Sequence, residues 1–516
     1  MSIAQTIKIR AEKFPEKTAV FFRGEKITFR QLKENVFKLA AGLKKSGLKK
    51  GDKIAIYLPN WPEYIYTYLA AWVSGATCVP LDFMFTEDEL VSCISHSEAS
   101  LLVMKAKANL AAASLKKRCP GLKHVVTCQD TEEGCIFFAD LLQMAETQAE
   151  QAKIEDKDYA IIFYTSGTTG KPKGVLINYL QLNAPPKSMD FFVGGIKEDD
   201  VALCALPFSH LGGLIYIQNC VYHGLTFVLM ERFIPSEFLK NIPAFKVTCF
   251  WIVPSMYYAV LQLKEFETFD LSTLRWMVTF GASNSADALR RFHQYCPKAH
   301  LLNGWGMTET NAPTVVLPRG SKNIESVGRP LPWVEVKIAD DSDKEVKTGA
   351  TGEVLVKSWV VTDGYFKDPQ LTQETLKNGW FHTGDLGRLD AEGFLYIVGR
   401  KKEMIKVGGE IVFEPEVESV IQKHPDVAET AVVGIVDKLR GEVPKAYIVL
   451  KENKILNEEN LRYFLRQHLA HFKIPHCFEF VSSLPKNRAG KIDKEKLRDV
   501  SQDRARVSPG DSSNRA

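Results

Sequence analysis

Short apolar runs, each bounded by glycine, proline or charge, alternate with helical stretches over most of this chain. "KIAIYLP" (Lys53–Pro59), "TCVPLD" (Thr77–Asp82), "SLLVMK" (Ser100–Lys105) and "HVVTC" (His124–Cys128) form one series. "VALCALP" (Val201–Pro207), "TFVLM" (Thr226–Met230), "VTCFWIVP" (Val247–Pro254) and "WMVTFGA" (Trp276–Ala282) form a second. Between strands, Leu32, Val36, Leu39, Ala40 and Leu43 recur at helical spacing, and Tyr64–Trp72 reads as a buried helix. Alternation on this scale implies a mostly parallel sheet covered on both faces. "AVFFRGEKITF" departs from it as a hairpin with Gly24 in the turn. From about Gly328 the segments "EVKIAD", "GEVLVKS" and "FLYIVGR" predict a small β-rich subdomain. Beyond Arg400 about 100 residues read as α+β, with helices at Glu414–Gln422 and Glu458–His468 and strands near "AETAVVGIVD" and "KAYIVL".

At 516 residues the chain is too long for one core, so two or more domains are expected. Its 45% hydrophobic and 25% charged residues are a globular mix, and a net charge of +4 does not argue for nucleic acid. Ten cysteines without a CxxC pair point to reduced thiols in a cytoplasmic protein, with neither disulfides nor zinc. The N-terminus has no apolar signal-peptide core. The nearly uncharged span Val201–Met230 is broken by Pro207, Gly212, Gly213 and Gly224, whereas a membrane helix needs roughly 20 uninterrupted apolar residues. It reads as buried strand, loop and helix, and no transmembrane segment is expected. The oligomeric state is left open, a homodimer included.

"YTSGTTGKPKGV" (Tyr164–Val175) follows an apolar strand. Gly167 and Gly170 let backbone N–H groups approach an anion; Thr165, Ser166, Thr168 and Thr169 add hydroxyls, and Lys171 and Lys173 add charge. A polar surface loop explains this density of phosphate-friendly groups poorly. A Walker A loop needs four residues between its glycines, and here there are two, with Pro172 after Lys171. The loop therefore does not wind directly into a helix, and a P-loop kinase or GTPase is disfavoured.

The loop resembles the signature of the adenylate-forming superfamily, which includes acyl-CoA synthetases, 4-coumarate–CoA ligases, crotonobetaine/carnitine–CoA ligases, luciferase and peptide-synthetase adenylation domains. Further motifs occur in that family's order: "PFSH" (Pro207–His210), "NGWGMTET" (Asn303–Thr310), "FHTGD" (Phe381–Asp385), "GRKKEMIKVGGE" (Gly399–Glu410) and "PKNRAGKI" (Pro485–Ile492). The resemblance implies a large N-terminal adenylation domain (1–398) of mixed, mostly parallel sheets covered by helices plus a small β subdomain. It also implies a hinge (399–402) and a mobile α+β C-terminal domain (403–500), and residues 501–516 read as a disordered tail.

It further implies ATP, Mg²⁺ and coenzyme A as reactants or cofactors, with a small carboxylic acid as substrate. Lys491 corresponds to the lysine that bridges the carboxylate and the α-phosphate; alone in a turn it would read as a solvated charge. Asp385 and Arg400 correspond to ribose ligands, with a turn cap and an exposed ion pair as their structural alternatives. Glu309 corresponds to the Mg²⁺ ligand, a role that suits a carboxylate, and Thr308 to a donor toward the α-phosphate. Asn303, Gly304, Trp305, Gly306 and Met307 complete the nucleotide motif, with Trp305 lying flat against adenine or forming the pocket wall, and core packing as its structural alternative. Gly281, Ala282 and Ser283 match the backbone that flanks adenine and the acyl pocket. His210 corresponds to the mouth between acyl pocket and thiol tunnel, although a histidine in an apolar stretch is commonly core.

The second half of the reaction falls to the hinge and to the strand region just beyond it. The resemblance implies that the C-terminal domain swings about Lys402, delivering Lys491 in one pose and presenting Lys406 to the site in the other, where Gly408 and Gly409 would let a pantetheine arm pass close to their backbone. The chain departs from the common "GGEN-x-x-P" pattern at Ile411, and its proline falls one place late at Pro415; Ala489 stands where serine is common. The reading is an AMP-forming acyl-CoA ligase for a fatty, alicyclic or aromatic acid. The alternatives are an acyl-AMP ligase that loads a carrier protein, a luciferase-type oxygenase and a non-catalytic nucleotide-binding protein. The acid's pocket is expected from Leu211–Tyr216, Val253–Tyr258, Phe280–Ser283 and Trp305, with Gly212 and Gly213 leaving room.

Overall fold

The structure, a computed structural model, describes residues 2–105, 110–129, 132–144, 152–165, 173–280, 286–407, 410–437, 439–486 and 492–499. Packing groups the chain into two compact units. The first comprises the chain up to Glu335 together with Val356–Phe381; the second comprises Val336–Leu355 and the chain from His382 onward.

Two sheets organise the first unit. One runs in the order Ile136–Phe137, His124–Cys128, Leu101–Lys105, Lys53–Tyr57, Thr77–Pro80, Tyr159–Thr165 and Lys173–Asn178. Every neighbouring pair in it is parallel except the last. The other has nine strands, in the order Arg329–Pro330, Ala312–Val316, His300–Met307, Trp276–Thr279, Cys249–Ile252, Val201–Cys204, Thr226–Leu229, Thr18–Phe22 and Glu25–Thr28. It is parallel from His300–Met307 to Thr18–Phe22 and antiparallel at both ends. The N-terminal hairpin turns on Arg23 and Gly24, both at positive φ (49° and 84°), the two-residue geometry whose twist matches its strands. Val201–Met230 resolves into strand, helix Leu211–His223 and strand.

The helices between strands start where local chemistry favours it. Thr28 and Gln31 form a capping box ahead of Phe29–Lys45, and Pro62 and Pro254 occupy the first positions of Pro62–Val73 and Pro254–Leu261, where a missing N–H costs nothing. Leu102, Val125 and Ile162 lie in one buried core; Phe250, Tyr257, Met277 and Phe292 lie in the other. Asn60, just past strand Lys53–Tyr57, links the two sheets. Its buried amide donates to the carbonyls of Leu206 (2.9 Å) and Met230 (3.2 Å) and accepts from the Phe208 N–H (2.9 Å).

In the second unit, Leu395–Arg400 pairs antiparallel with residues 385–389. A five-stranded sheet comes next, in the order Glu410–Phe413, Met404–Val407, Gly441–Leu450 and Val427–Asp437, with Cys477–Phe480 pairing parallel to Gly441–Leu450. Helices Glu414–Ile421 and Glu458–Arg466 cover it, burying Val417, Ile421, Leu461 and Leu465 against Val412, Val432 and Ile448. The β-rich segment 382–400 groups here, with only Lys401–Glu403 between it and the next strand and a Cβ at Gly399 standing at ordinary contact distance from the Phe413 ring.

Candidate active site

In a parallel sheet the carboxyl ends of adjacent strands share one edge, where ligands bind in α/β folds. The motif residues of the first unit gather there. Residues 207–210 follow strand Val201–Cys204, Val253 follows Cys249–Ile252, Phe280 follows Trp276–Thr279, and Trp305 to Met307 end His300–Met307. His210 immediately precedes helix Leu211–His223 and is half-buried. Its Nε2 lies 3.4 Å from Oδ2 of Asp82, a buried carboxylate just past strand Thr77–Pro80, and Asp82 Oδ1 accepts the Met84 N–H at 2.8 Å. The imidazole is thus oriented by a carboxylate from the other sheet.

Two expectations about the acyl pocket need correction. The space at Gly212 and Gly213 is filled by the protein itself. A Cβ at Gly213 would stand 2.2 Å from the Pro207 carbonyl oxygen, and one at Gly212 would stand 2.9 Å from Leu206. Gly213 lets the helix start close under the 207–210 turn, as a bulkier residue could not, whereas at Gly212 the space is taken by the Leu206 and Phe280 side chains. Much of the expected lining is core: Leu214, Ile215, Tyr216 and Tyr257 are fully buried. Tyr216 stacks on Trp251 (3.6 Å between centroids), and its one hydroxyl proton is shared between the Leu203 carbonyl (2.8 Å) and the Trp251 carbonyl (2.9 Å) while its oxygen accepts the Trp251 N–H. Leu211, Met256, Tyr258 and Phe280 retain partial exposure.

The glycine-rich segment joins two antiparallel strands whose ends are in register, Thr165 opposite Lys173. It is a hairpin connection, and the chain leaves it along strand Lys173–Asn178, in keeping with Pro172. Residues 364–366 flank that exit strand. Val175 bridges Tyr365, the Phe366 N–H donates to Gly174 O (2.7 Å), and the Leu176 N–H donates to Gly364 O (3.0 Å). From there Tyr365 donates its hydroxyl to Oε1 of Glu309 at 3.0 Å, and the Thr362 N–H reaches the Glu309 carbonyl at 2.7 Å. The turn Thr308–Thr310 is closed by Asn311 at φ 49°, whose buried amide donates to Gln181 O at 2.7 Å. Glu309 is therefore tied to the strand that leaves the loop. A carboxylate held in place by one neutral donor suits the role of hard-oxygen ligand that Mg²⁺ requires.

Asn303 is buried, its backbone O accepting from Leu317 N (2.8 Å) and its amide donating to Ser326 O (3.3 Å). Trp305 is 8% exposed, so it forms packed wall rather than an open stacking platform. A Cβ at Gly306 would sit 2.4 Å from Ala312 O, which accounts for one motif glycine by close strand approach. Gly304 meets the Phe192 ring in the same way, and Met307 and Thr308 are half-buried.

In the second unit, register places Asp385 directly opposite Arg400. Arg400 Nε lies 2.9 Å from Oδ1 of the nearly buried Asp385. The turn before Asp385 is braced: the Thr383 hydroxyl donates to Val354 O (2.7 Å) and accepts the Asp385 N–H (3.0 Å), and the Gly384 N–H reaches Glu353 (3.1 Å). Glu353 also faces His382 (3.5 Å) and Lys401 (3.4 Å), and Lys401 pairs with Asp341 at 2.9 Å. These partners hold the Lys401 ammonium above its ordinary range, its bond to Asp341 first. Lys402 and Lys406 are exposed, and the Lys406 N–H donates to Glu442 (3.0 Å).

Lys491, Ser166, Gly167, Thr168, Thr169, Gly170, Lys171, Gly281, Ala282, Ser283, Gly408 and Gly409 lie outside the described residues. Asp82, Glu353 and Tyr365 do not stand out from sequence. Asp82 carries one usable signal, its place just past a parallel strand; the partners of the other two are far apart in the chain.

Comparison with known proteins agrees with this arrangement. The model for "AMP-binding enzyme" matches residues 7–366, and that for "AMP-binding enzyme C-terminal domain" matches 416–491. A long-chain-fatty-acid–CoA ligase of Bacillus subtilis is 31% identical over 94% of this chain and 92% of its own. A feruloyl-CoA synthase of an Amycolatopsis species is 32% identical over 95% and 97%. Among solved structures, the anthranilate CoA ligase AuaEII in complex with anthranoyl-AMP superposes with a TM-score of 0.93 at 28% identity, covering 98% of both chains. The chain belongs to the AMP-binding enzyme family, within the adenylate-forming superfamily, and has its acyl-CoA synthetase-like α/β fold.

Proposed function

We propose that this protein activates a carboxylic acid with ATP and passes the acyl group to coenzyme A. In the first step a carboxylate oxygen bonds to the α-phosphorus while the bond to the β-phosphate oxygen breaks, leaving acyl-AMP and pyrophosphate. In the second, the thiol sulfur bonds to the acyl carbon, AMP leaves with the electron pair, and the thiol proton passes to solvent. The observation that supports the reading is that Glu309 is tied through Tyr365 to the strand that leaves the glycine-rich loop, which is where a metal-binding carboxylate beside a phosphate loop would be needed.

The roles follow from charge and place. Residues 165–171 and Lys173 hold the β- and γ-phosphates with backbone N–H groups, hydroxyls and ammonium charge. Thr308 donates to the α-phosphate. Glu309 would hold Mg²⁺, which would supply neutralising charge to the phosphates. Asp385 accepts the ribose hydroxyls, and Arg400, its ion-pair partner, orients that carboxylate. Lys491 supplies the charge that brings carboxylate and α-phosphate together. His210, steadied by Asp82, lines the route between acyl pocket and thiol. Residues 399–402 form the hinge, and 406–409 serve the thiol step. Relatives named for fatty and aromatic acids support an apolar acid as substrate, and ten free cysteines support a reducing, cytoplasmic setting.

The test is a panel of fatty, alicyclic and aromatic acids with ATP and Mg²⁺, with and without CoA, reading pyrophosphate and acyl-CoA. Acid-dependent pyrophosphate with acyl-CoA and AMP as products is expected. Acyl-AMP that ignores CoA but loads a phosphopantetheinyl carrier overturns the second step; no acid-dependent pyrophosphate overturns the whole.

A further inference from the structure

In the "GGEN-x-x-P" pattern, the place of the proline falls on residue 414, and this chain has Glu414 there. Its side chain begins helix Glu414–Ile421 and is 2% exposed. A carboxylate so buried persists only if its charge is matched and its oxygens are bonded. Both conditions are met from the C-terminal segment. Lys494 Nζ lies 3.0 Å from Glu414 Oε2, and the Arg498 guanidinium donates to Oε1 at 2.6 Å, where the Gly434 N–H also arrives at 3.3 Å. One turn along the helix, Glu418 takes a second bond from Lys494 at 2.7 Å and the Val432 N–H at 2.7 Å. Two carboxylates from one helix thus alternate with two cations from residues 494–498. Burial by itself would lower the Lys494 ammonium, but Glu418, Glu414 and Glu403 outweigh it and hold it above its usual range, whereas burial holds the Glu414 carboxyl above its own range against Lys494 and Arg498.

Lys494 and Arg498 follow Lys491 by three and seven residues. On the other side of Lys491, Lys486 pairs with Glu429 at 2.8 Å. The two flanks are closed on each other by a Lys486–Ile492 bridge and by the Asp493 N–H to Pro485 O (2.8 Å). Leu484 and Leu497 pack with Tyr447, whose hydroxyl donates to Leu497 O at 3.1 Å. Packing and the charged clamp thus hold the described residues on either side of 487–491.

We propose that Glu414, with Glu418, is a positioning group for adenylation: the two clamp Lys494 and Arg498 and so fix the base from which Lys491 works. The proposal rests on the role given to Lys491 above. It concerns the first half-reaction alone, because strand Glu410–Phe413, next to the thiol-step residues, is held by its own pairing with Met404–Val407.

The test is Glu414→Gln, which keeps the shape and removes the charge, with Lys494→Met as a second variant and Lys491→Ala as reference. Acid-dependent pyrophosphate release is measured beside acyl transfer from supplied acyl-AMP to CoA. Small misplacement of a catalytic group costs on the order of a hundredfold, so the two clamp variants should lose roughly that in the kcat of pyrophosphate release. Their KM for ATP and acid, and their transfer step, should stay within about twofold. The double variant Glu414→Gln/Lys494→Met should be little worse than either single one, since both break one clamp. Wild-type pyrophosphate release in Glu414→Gln, or equal loss of both half-reactions, overturns the proposal. If Lys491→Ala also releases pyrophosphate at the wild-type rate, it is the role of Lys491 that fails.

Discussion

Tyr365→Phe removes one oxygen and leaves the ring's packing in place. The lost bond is the 3.0 Å donation to Glu309 Oε1 from a side chain only 7% exposed. Burial first, and the neighbouring Glu309 charge second, push the phenol well above its ordinary range, so it remains a donor throughout any practical assay pH. A hydrogen bond to a charged partner contributes about 1.5–3 kcal/mol, and loss of a metal ligand's supporting partner commonly weakens metal binding by about 10–100-fold. The backbone tie from Thr362 survives the substitution, so the lower end applies, about tenfold or 1.4 kcal/mol. The assay is a Mg²⁺ titration of pyrophosphate release at saturating ATP. The half-activating concentration should rise about tenfold, with folding stability reduced by no more than about 2 kcal/mol. An unchanged Mg²⁺ dependence, or a stability loss beyond about 4 kcal/mol, would refute the view that Tyr365 orients Glu309.

Gly213→Ala should destabilise the first unit by about 3 kcal/mol in urea unfolding, because the new methyl meets backbone atoms of Pro207 and Leu206 that cannot rotate aside. Gly121→Ala, where nothing stands within 4 Å, should stay within about 0.5 kcal/mol; similar losses at both positions would contradict the close-approach argument. Alkylation of the native protein near neutral pH should add one label, at the exposed Cys477. Burial pushes the thiols of Cys78, Cys204 and Cys249 far up, and Cys135 is raised as well. Two or more adducts by intact mass would count against the packing described.

Where the sequence is legible, the signal is local. A strand such as Lys53–Tyr57 or Trp276–Thr279 shows itself because burial on both faces demands an apolar run of that length, and Gly24 marks its hairpin because positive φ suits glycine. Helix Glu414–Ile421 is one residue shorter than its periodicity suggests and Glu458–Arg466 two, since helix ends fray and periodicity does not mark the last turn. The sequence suggests spare volume at Gly212 and Gly213 where there is none, because a glycine does not announce whether a ligand or its own protein fills the gap.

The motifs and their order, the parallel α/β architecture and the family were therefore determined by sequence alone, through periodicity and residue chemistry at short range. Tertiary structure decided the partners. His210 meets Asp82 across 128 residues, Glu309 meets Tyr365 across 56, and Glu414 meets Lys494 across 80. Each pairing joins side chains from elements whose local sequences would look the same without it. Only the packing of strands and helices brings their charges within bonding distance and sets which of them are buried deeply enough to matter.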